Sequence, residues 1–241
     1  MSKKKQYRRP IRKFWYKIVH QDRDLIVVDK PAGLLTVPIP KIKSINLLDM
    51  LNRDCSGGGN IEIRTVHRID RYTSGLVVFA KNKSTHYELV RQFKARTPKR
   101  IYRALVRGKV QPLKGELEHF MKRIDTGFRN IVVSENDKEG SPARLEYEVE
   151  EQYMDTCLVK IRLDSGLKNQ IRVQFSEIGN HMVGDQHYVG KEVDEPLIDR
   201  QALHAAELGF IHPTNGKEVM YKAKMPDDMK ELVKFYKSKS A

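Results

Sequence analysis

Three features of the sequence predict a soluble protein that mixes helices and strands. Leu25-Ile26-Val27-Val28 and Leu76-Val77-Val78-Phe79-Ala80 are short apolar runs rich in β-branched and aromatic residues, the mark of buried strands. Residues 143–150 and 157–163 alternate apolar with polar side chains, as the two arms of a half-buried antiparallel hairpin do. Ile171, Phe175 and Ile178 recur at helical spacing and are closed by Gly179. The 241 residues suffice for a sizeable core, in one domain or two small ones. With 39% hydrophobic and 32% charged residues, the composition excludes a disordered chain.

The formal charge of +14 favours a polyanionic partner. An anionic membrane surface would also attract it, but no strongly amphipathic basic helix stands out. A generally basic protein without such a partner is the third alternative, and charge alone does not separate them. Cys55 and Cys157 are too few for a disulfide framework and form no CxxC metal pair. No apolar run approaches 18 residues, so no membrane span is expected. The basic N-terminus lacks the apolar stretch of a secretory signal, and a transit peptide would be richer in Ser. A cytoplasmic protein is expected.

In chain order, residues 1–13 read as a flexible basic arm that can add phosphate contacts. Folded structure is predicted from Phe14-Trp15-Tyr16 onward. After the strand at 25–28, Asp29-Lys30-Pro31-Ala32-Gly33 turns the chain. Ser44 is predicted to cap a short helix holding Ile45, Leu48 and Leu51. Gly57-Gly58-Gly59 is a turn and not a phosphate cradle, since no Lys-Ser/Thr follows it. Next, Thr65 to Gly75 places Asp70 between Arg68 and Arg71 in a polar loop leading into the strand at 76–80. An Arg at ~4 Å is worth roughly 4 kcal/mol at an effective dielectric of 20, enough to lower an Asp pKa by about 1–3 units. Asp70 is therefore expected to stay ionised. Polar loops mounted on strands are common homes for binding and catalytic groups, and a surface turn with solvated charges is the alternative.

Ser84 is predicted to cap a helix reaching about Arg96, with Leu89, Val90 and Phe93 inward and Pro98 as the stop. A strand with a basic entrance follows over 99–108. Residues 109–140 are polar and irregular, with short strands. The loop Asp164-Ser165-Gly166 feeds the helix of Ile171 and Phe175, whose N-terminal N–H groups suit an anion. Asn215-Gly216 signals a hairpin, and Asp227 is predicted to cap a last helix with Leu232, Phe235 and Tyr236 inward. His181, Asp185 and His187, with His204 and His212, could be drawn as metal ligands, but their spacing fits no HExxH helix. His204 and His212 read better as structural hydrogen-bonding residues. His67 with Asp70 lacks the G-x-S-x-G setting of a hydrolase. Taken blind, Tyr102 and Leu203 are core residues.

His67-Arg68-Ile69-Asp70-Arg71-Tyr72-Thr73-Ser74-Gly75-Leu76 resembles the H-R-[LI]-D-x-x-T-S-G-L signature of RluA-type RNA pseudouridine synthases. Five other segments agree, in the family's order: Lys30-Pro31-Ala32-Gly33-Leu34, the strand Arg100-Ile101-Tyr102-Arg103-Ala104, Ser165 to Val173, Gly179-Asn180-His181-Met182-Val183-Gly184-Asp185, and Leu203-His204-Ala205 with Phe210-Ile211-His212-Pro213. Leu167 stands where the family usually has Arg, Asn169 where it most often has His, and Met182 follows a His where Pro is common.

The resemblance implies an α+β fold: a bent, mainly antiparallel central sheet with flanking helices and an active cleft across it. It implies an isomerase that converts uridine to pseudouridine in rRNA or tRNA. Asp70 would be the essential catalytic residue, Tyr102 would stack on the uracil, and Arg172 would hold Asp70. Arg68 would fill the space left by the flipped base, Leu203 would wall the base, and His67 and Lys168 would join the RNA contacts. Residues 14–241 would form one catalytic domain with no S4-like domain before it. No metal or other cofactor is called for, no obligate protein partner is evident, and a monomer is expected. A non-catalytic RNA-binding or chaperone protein with the same fold is the competing reading, and a metal-dependent nuclease a weaker one.

Overall fold

The computed structural model describes residues 15–55, 61–124, 129–188 and 198–240. The basic arm, Phe14 and the Gly57-Gly58-Gly59 turn lie outside them. The described residues build one eleven-stranded sheet with four helices. In chain order these are β1 (Lys17–Gln21), β2 (Leu25–Lys30), α1 (Leu47–Cys55), β3 (Arg64–Thr65), β4 (Ser74–Ala80) and α2 (Lys83–Lys94). Then come β5 (Lys99–Arg107), β6 (Lys114–Arg123), β7 (Asn130–Val133), β8 (Ser141–Gln152) and β9 (Thr156–Leu163). The chain closes with α3 (Gln170–Glu177), β10 (Leu203–Ile211), β11 (Glu218–Lys222) and α4 (Asp227–Lys239).

The strands lie in the order β1-β2-β4-β10-β5-β9-β8-β6-β7, with β11 on β10 and β3 on β4. Every pair is antiparallel except β4 with β10, so the sheet is mainly antiparallel and the fold α+β, as expected. That parallel pair sets the site. Gly75 on β4 lies beside Ala205 on β10, and a Cβ there would sit 2.2 Å from the Ala205 carbonyl oxygen. With φ at +113° as well, only glycine is comfortable at this junction. Ala205 also pairs with Tyr102 on β5, so β10 brings the segment before β4 and the strand carrying Tyr102 to one place.

Each face of the sheet has its own helices. Ile26, Val28, Phe79, Ala104 and Val159 pack with Leu47 and Leu51 of α1 and Ile171 and Phe175 of α3. On the other face Leu89 of α2 meets Leu25, Val27 and Val78, while Met229, Leu232 and Tyr236 of α4 meet Leu105 and Leu158. Side chains of this kind contribute roughly 1.5–3 kcal/mol each when fully buried. The predicted hairpin is β8 with β9, with Ala143, Leu145 and Tyr147 buried.

Several caps differ from expectation. Asn46, not Ser44, caps α1, accepting the Asp49 N–H at 3.0 Å, and the Ser44 hydroxyl is buried without a hydrogen bond. Asn82, not Ser84, caps α2 through the Thr85 N–H at 2.8 Å. Pro226 precedes α4 and Asp227 is its first residue, favourable to the helix dipole but not a cap. Asn bonds the N2–N3 amides as well as Ser does, so residue type alone cannot rank nearby candidates. Ile178, expected on the inner face of this helix, is instead the residue that follows α3, and it is 38% exposed.

Candidate active site

A cavity of about 410 Å³ opens between the Asp70 loop, α2, β5 and the segment entering α3. The loop reaches it because β4 starts at Ser74, placing residues 69–73 at the sheet's edge of the cavity. Asp70, Tyr102, Arg172 and Leu203 all line this one space. Tyr102 and Leu203 are buried in the core cluster and also line the cavity.

Arg172 extends from α3 with its guanidinium fully engaged. Nε and Nη2 donate to the two carboxylate oxygens of Asp185, both at 2.7 Å, and Nη1 donates to Asn169 Oδ1 at 3.0 Å. Nη1 is also 3.8 Å from Asp70 Oδ2, an ion-pair distance longer than a hydrogen bond. Burial depresses the Arg172 pKa, but the Asp185 bonds more than offset this and raise it. Burial likewise pushes the Asp185 carboxyl up, and Arg172 with the His187 and Tyr188 N–H groups holds it below the ordinary value.

The Asp70 expectation needs correcting. Burial at the cavity floor raises its pKa, outweighing the downward pull of Arg172, Arg68, Lys168 and Lys30. Arg172 gives its short bonds to Asp185, and Arg71 turns away, donating Nε to the Gly33 carbonyl and lying over the Tyr72 ring. A neighbour in sequence is not thereby a partner in space. Burial raises the Tyr102 pKa too, with Asp70 adding to it and Arg100 opposing.

His67 Nε2 accepts the Val78 N–H at 3.1 Å, and its ring stacks on Phe93 at 4.4 Å. Burial and the nearby Arg100 charge push its pKa down to about 3. It is therefore a neutral imidazole tied to β4 and α2, and brings no charge to the cavity it lines. Arg68 lines the cavity from an exposed position. Lys168 stands outside the lining, within electrostatic reach of Asp70, with its carbonyl bonded by Asn130. Leu167 lines the cavity and packs against the cluster of Met121, Ala143 and Val173.

Sequence reading missed four residues. Asp185, drawn from the sequence as a possible metal ligand and as the end of the Gly179–Asp185 motif, is instead the two-oxygen partner of Arg172. Arg100, buried on the Tyr102 side of β5, donates Nη2 to the carbonyls of Asp164 and Ser165, and its Nε is buried without a partner. Its Nη1 would lie 2.9 Å from a Cβ on Gly166, so that glycine leaves room for the guanidinium. Arg96 ends α2 at φ +58°, the left-handed position that favours glycine. Lys94 lies beside it on the cavity wall. Arg68, Lys94, Arg96, Arg100 and Arg172 thus line the cavity with a single carboxylate among them, Asp70. Among the described residues no group of three or more His, Cys, Asp or Glu could hold a metal ion.

A lone carboxylate in a cation-lined cavity, on a mainly antiparallel sheet, suits an enzyme working on a polyanion. The chain belongs to the RNA pseudouridylate synthase family, which matches residues 24–177, and within it to the RluA type. It is 37% identical over 228 residues to ribosomal large subunit pseudouridine synthase D of Zymomonas mobilis, covering 90% of this chain and 71% of that one. It is 34% identical over 227 residues to an uncharacterized RNA pseudouridine synthase of Aquifex aeolicus, covering 89% and 71%. The solved structure of human RNA pseudouridylate synthase domain containing 4 superposes with a TM-score of 0.77 over 91% of this chain and 92% of that one. At 22% identity, that likeness is one of fold.

Proposed function

We propose that this chain isomerises uridine to pseudouridine in RNA, with Asp70 as the reactive residue. The observation that carries the reading is the Asp70 carboxylate beside Tyr102, Leu203 and Arg172 in one cation-lined cavity. A uridine in structured RNA hides its glycosidic bond, so the nucleotide must be flipped out, at a cost of a few kcal/mol of unstacking. Stacking on Tyr102, an apolar wall at Leu203 and phosphate contacts from the basic rim offset that cost, and Arg68 fills the vacated space. His67 supports the wall of the cavity, and Lys168 adds positive potential at its edge.

Asp70 then attacks the nucleoside or removes a proton from it, and the N1–C1′ bond breaks. The uracil turns and C5 bonds to C1′ as the Asp70–C1′ bond breaks or, on the proton-removal route, as Asp70 returns the proton to C2′; the C5 proton is then lost and N1 takes up a proton, so that atoms balance without an oxidant or reductant. A carboxylate whose pKa is raised is a stronger base and nucleophile once ionised than an ordinary one. Arg172, fixed by Asp185, keeps a positive charge 3.8 Å away and stabilises that ionised form. The substrate we favour is large-subunit ribosomal RNA, supported by what the Zymomonas mobilis relative is called. Residues from 14 on act as one catalytic unit, a monomer in the cytoplasm. One continuous sheet through the described residues supports the single unit.

The test is tritium release from ribosomal and transfer RNA carrying 5-³H-uridine. Release from large-subunit RNA that EDTA leaves untouched is expected, with Asp70→Asn slower by about 10⁴-fold or more, the scale of removing a lone reactive group. Salt-sensitive binding with no release from either RNA would instead make the chain an RNA-binding protein. Release abolished by EDTA would point to a metal.

A further inference from the structure

The four carbonyls of the Asp70 loop, residues 69–72, are each held. Ile69 O accepts the Thr36 hydroxyl at 2.8 Å, and Asp70 O accepts the Thr73 N–H at 3.1 Å. Arg71 O accepts both the Gly33 N–H at 2.8 Å and Lys30 Nζ at 3.1 Å. Tyr72 O accepts Arg200 Nη1 at 3.3 Å. Two of these donors are buried cations from distant parts of the chain, 0% and 4% exposed.

Burying a charge is costly and needs a return. Lys30 has three ammonium protons and three carbonyl partners: Pro31 O at 3.0 Å, Leu34 O at 2.8 Å and Arg71 O. None is a carboxylate, so its charge is held by backbone dipoles, and these tie the turn after β2 to the Asp70 loop. Arg200 grips Asp228 of α4 with Nε and Nη2, at 2.7 and 2.8 Å. Its Nη1 donates to Gln201 O at 3.0 Å and Leu203 O at 3.3 Å as well as to Tyr72 O. One guanidinium therefore joins the Asp70 loop, the backbone of the cavity wall at Leu203 and the last helix.

We propose that Lys30 and Arg200 are positioning residues for the isomerisation: by holding the Arg71 and Tyr72 carbonyls they fix the Asp70 carboxylate, and Arg200 with Asp228 sets Leu203 in register with it. Neither side chain lines the cavity, so neither is expected to touch the substrate. The inference rests on the pseudouridine synthase reading of Asp70. Reactive groups must be held within fractions of an ångström, and a misplacement of about 1 Å can cost about 10²-fold in rate.

Protonation of Lys30 matters to this arrangement. The groups facing it are Asp29 of β2, Asp70 and Arg71 of the loop, and Arg200. Burial lowers its pKa to about 7. On losing its proton it keeps two N–H donors for three carbonyls, and the cation that draws Asp70 towards it is gone. Single-turnover tritium release by the full chain is expected to fall on the alkaline side as Lys30 deprotonates.

The experiment compares wild type, Lys30→Met, Asp228→Asn and Asp70→Asn in single-turnover tritium release from large-subunit RNA between pH 6 and 9, with RNA affinity and the urea midpoint measured on each. Lys30→Met is expected to react about 10- to 100-fold more slowly at saturating RNA, with RNA affinity within twofold and the alkaline limb abolished. Asp228→Asn, which loosens Arg200 from its exposed end, is expected to slow the reaction about three- to tenfold, again without loss of affinity. If Lys30→Met fails to fold, Asp228→Asn and the wild-type alkaline limb decide the matter. Rates within twofold of wild type in the folded variants, a loss that appears only in RNA affinity, or a limb unchanged in Lys30→Met would overturn the proposal. Inactive wild type would overturn the function itself, whereas active wild type with inactive Asp70→Asn and normal positioning variants would overturn only this inference.

Discussion

Two concavities on the same sheet handle charge in opposite ways. The Asp70 cavity sets five cations against one carboxylate. The other, of comparable size at about 580 Å³, is lined by Lys99, Lys114, Lys160 and Arg162 against Glu116, Glu146, Glu148 and Glu207. There the charges cancel across strands: Lys114 pairs with Glu148 at 2.6 Å, Arg162 pairs with Glu146, and Lys160 lies opposite Glu148. Both are rich in charge, but only the first keeps an unneutralised positive potential able to draw a polyanion. Size does not mark the site, and neither does the number of charged residues. The imbalance does.

The largest effect is expected from removing the carboxylate that holds Arg172 at the edge of the first cavity. Asp185→Asn leaves the buried Arg172 without its bidentate partner, and should cost about 3–5 kcal/mol in urea unfolding along with most of the activity. Retained stability would mean that Asn169 and Asp70 suffice to hold the guanidinium.

Lys30 offers a second contrast, a buried charge held without a carboxylate. Its native pKa of about 7 lies below its value in the unfolded chain, so between about pH 7 and 10.5 the unfolded state binds the extra proton. Stability should therefore rise with pH in that window. Relative to Lys30→Met, wild type should gain up to about 1.4 kcal/mol per pH unit from pH 7 upward, read from paired urea titrations. A difference that is flat with pH would place the Lys30 pKa outside the window.

Arg96 sharpens the comparison at the cavity rim. Arg96→Gly relieves a left-handed backbone and should stabilise the protein by roughly 1 kcal/mol. At the same time RNA affinity should fall, with the log–log salt slope shallower by about 0.7–0.9, the loss of one phosphate contact. Stabilisation without any change in salt slope would remove Arg96 from the RNA interface. The smallest effect is expected on the self-neutralised surface. Glu148→Gln should leave both the urea midpoint and the RNA salt slope unchanged within error, since an exposed pair of this kind contributes little.

Much of the candidate site was legible as residue types in order. The loop containing Asp70, the strand containing Tyr102 and the helix containing Arg172 could each be read from local pattern and family resemblance, and the cavity brings all three together with Leu203. What could not be read was the electrostatics among them. Arg68 and Arg71 flank Asp70 in sequence, yet Arg71 bonds Gly33, and the nearest cation comes from α3. Desolvation then outweighs the cations, and the Asp70 pKa moves opposite to the expected direction. His67, expected among the RNA contacts, is uncharged for a similar reason: its environment is fixed by Val78, Phe93 and Arg100, which no spacing rule brings to it.

The sequence by itself determined which segments became strands and helices and which residues could do chemistry, because side-chain periodicity and backbone propensity act over a few residues. The parallel contact of β4 with β10, the Arg172–Asp185 clamp, and the hold of Lys30 and Arg200 on the Asp70 loop were decided only by tertiary structure. Each joins residues far apart in the chain, and each depends on distance and burial, which set the strength of a charge and exist only after the sheet has closed around it.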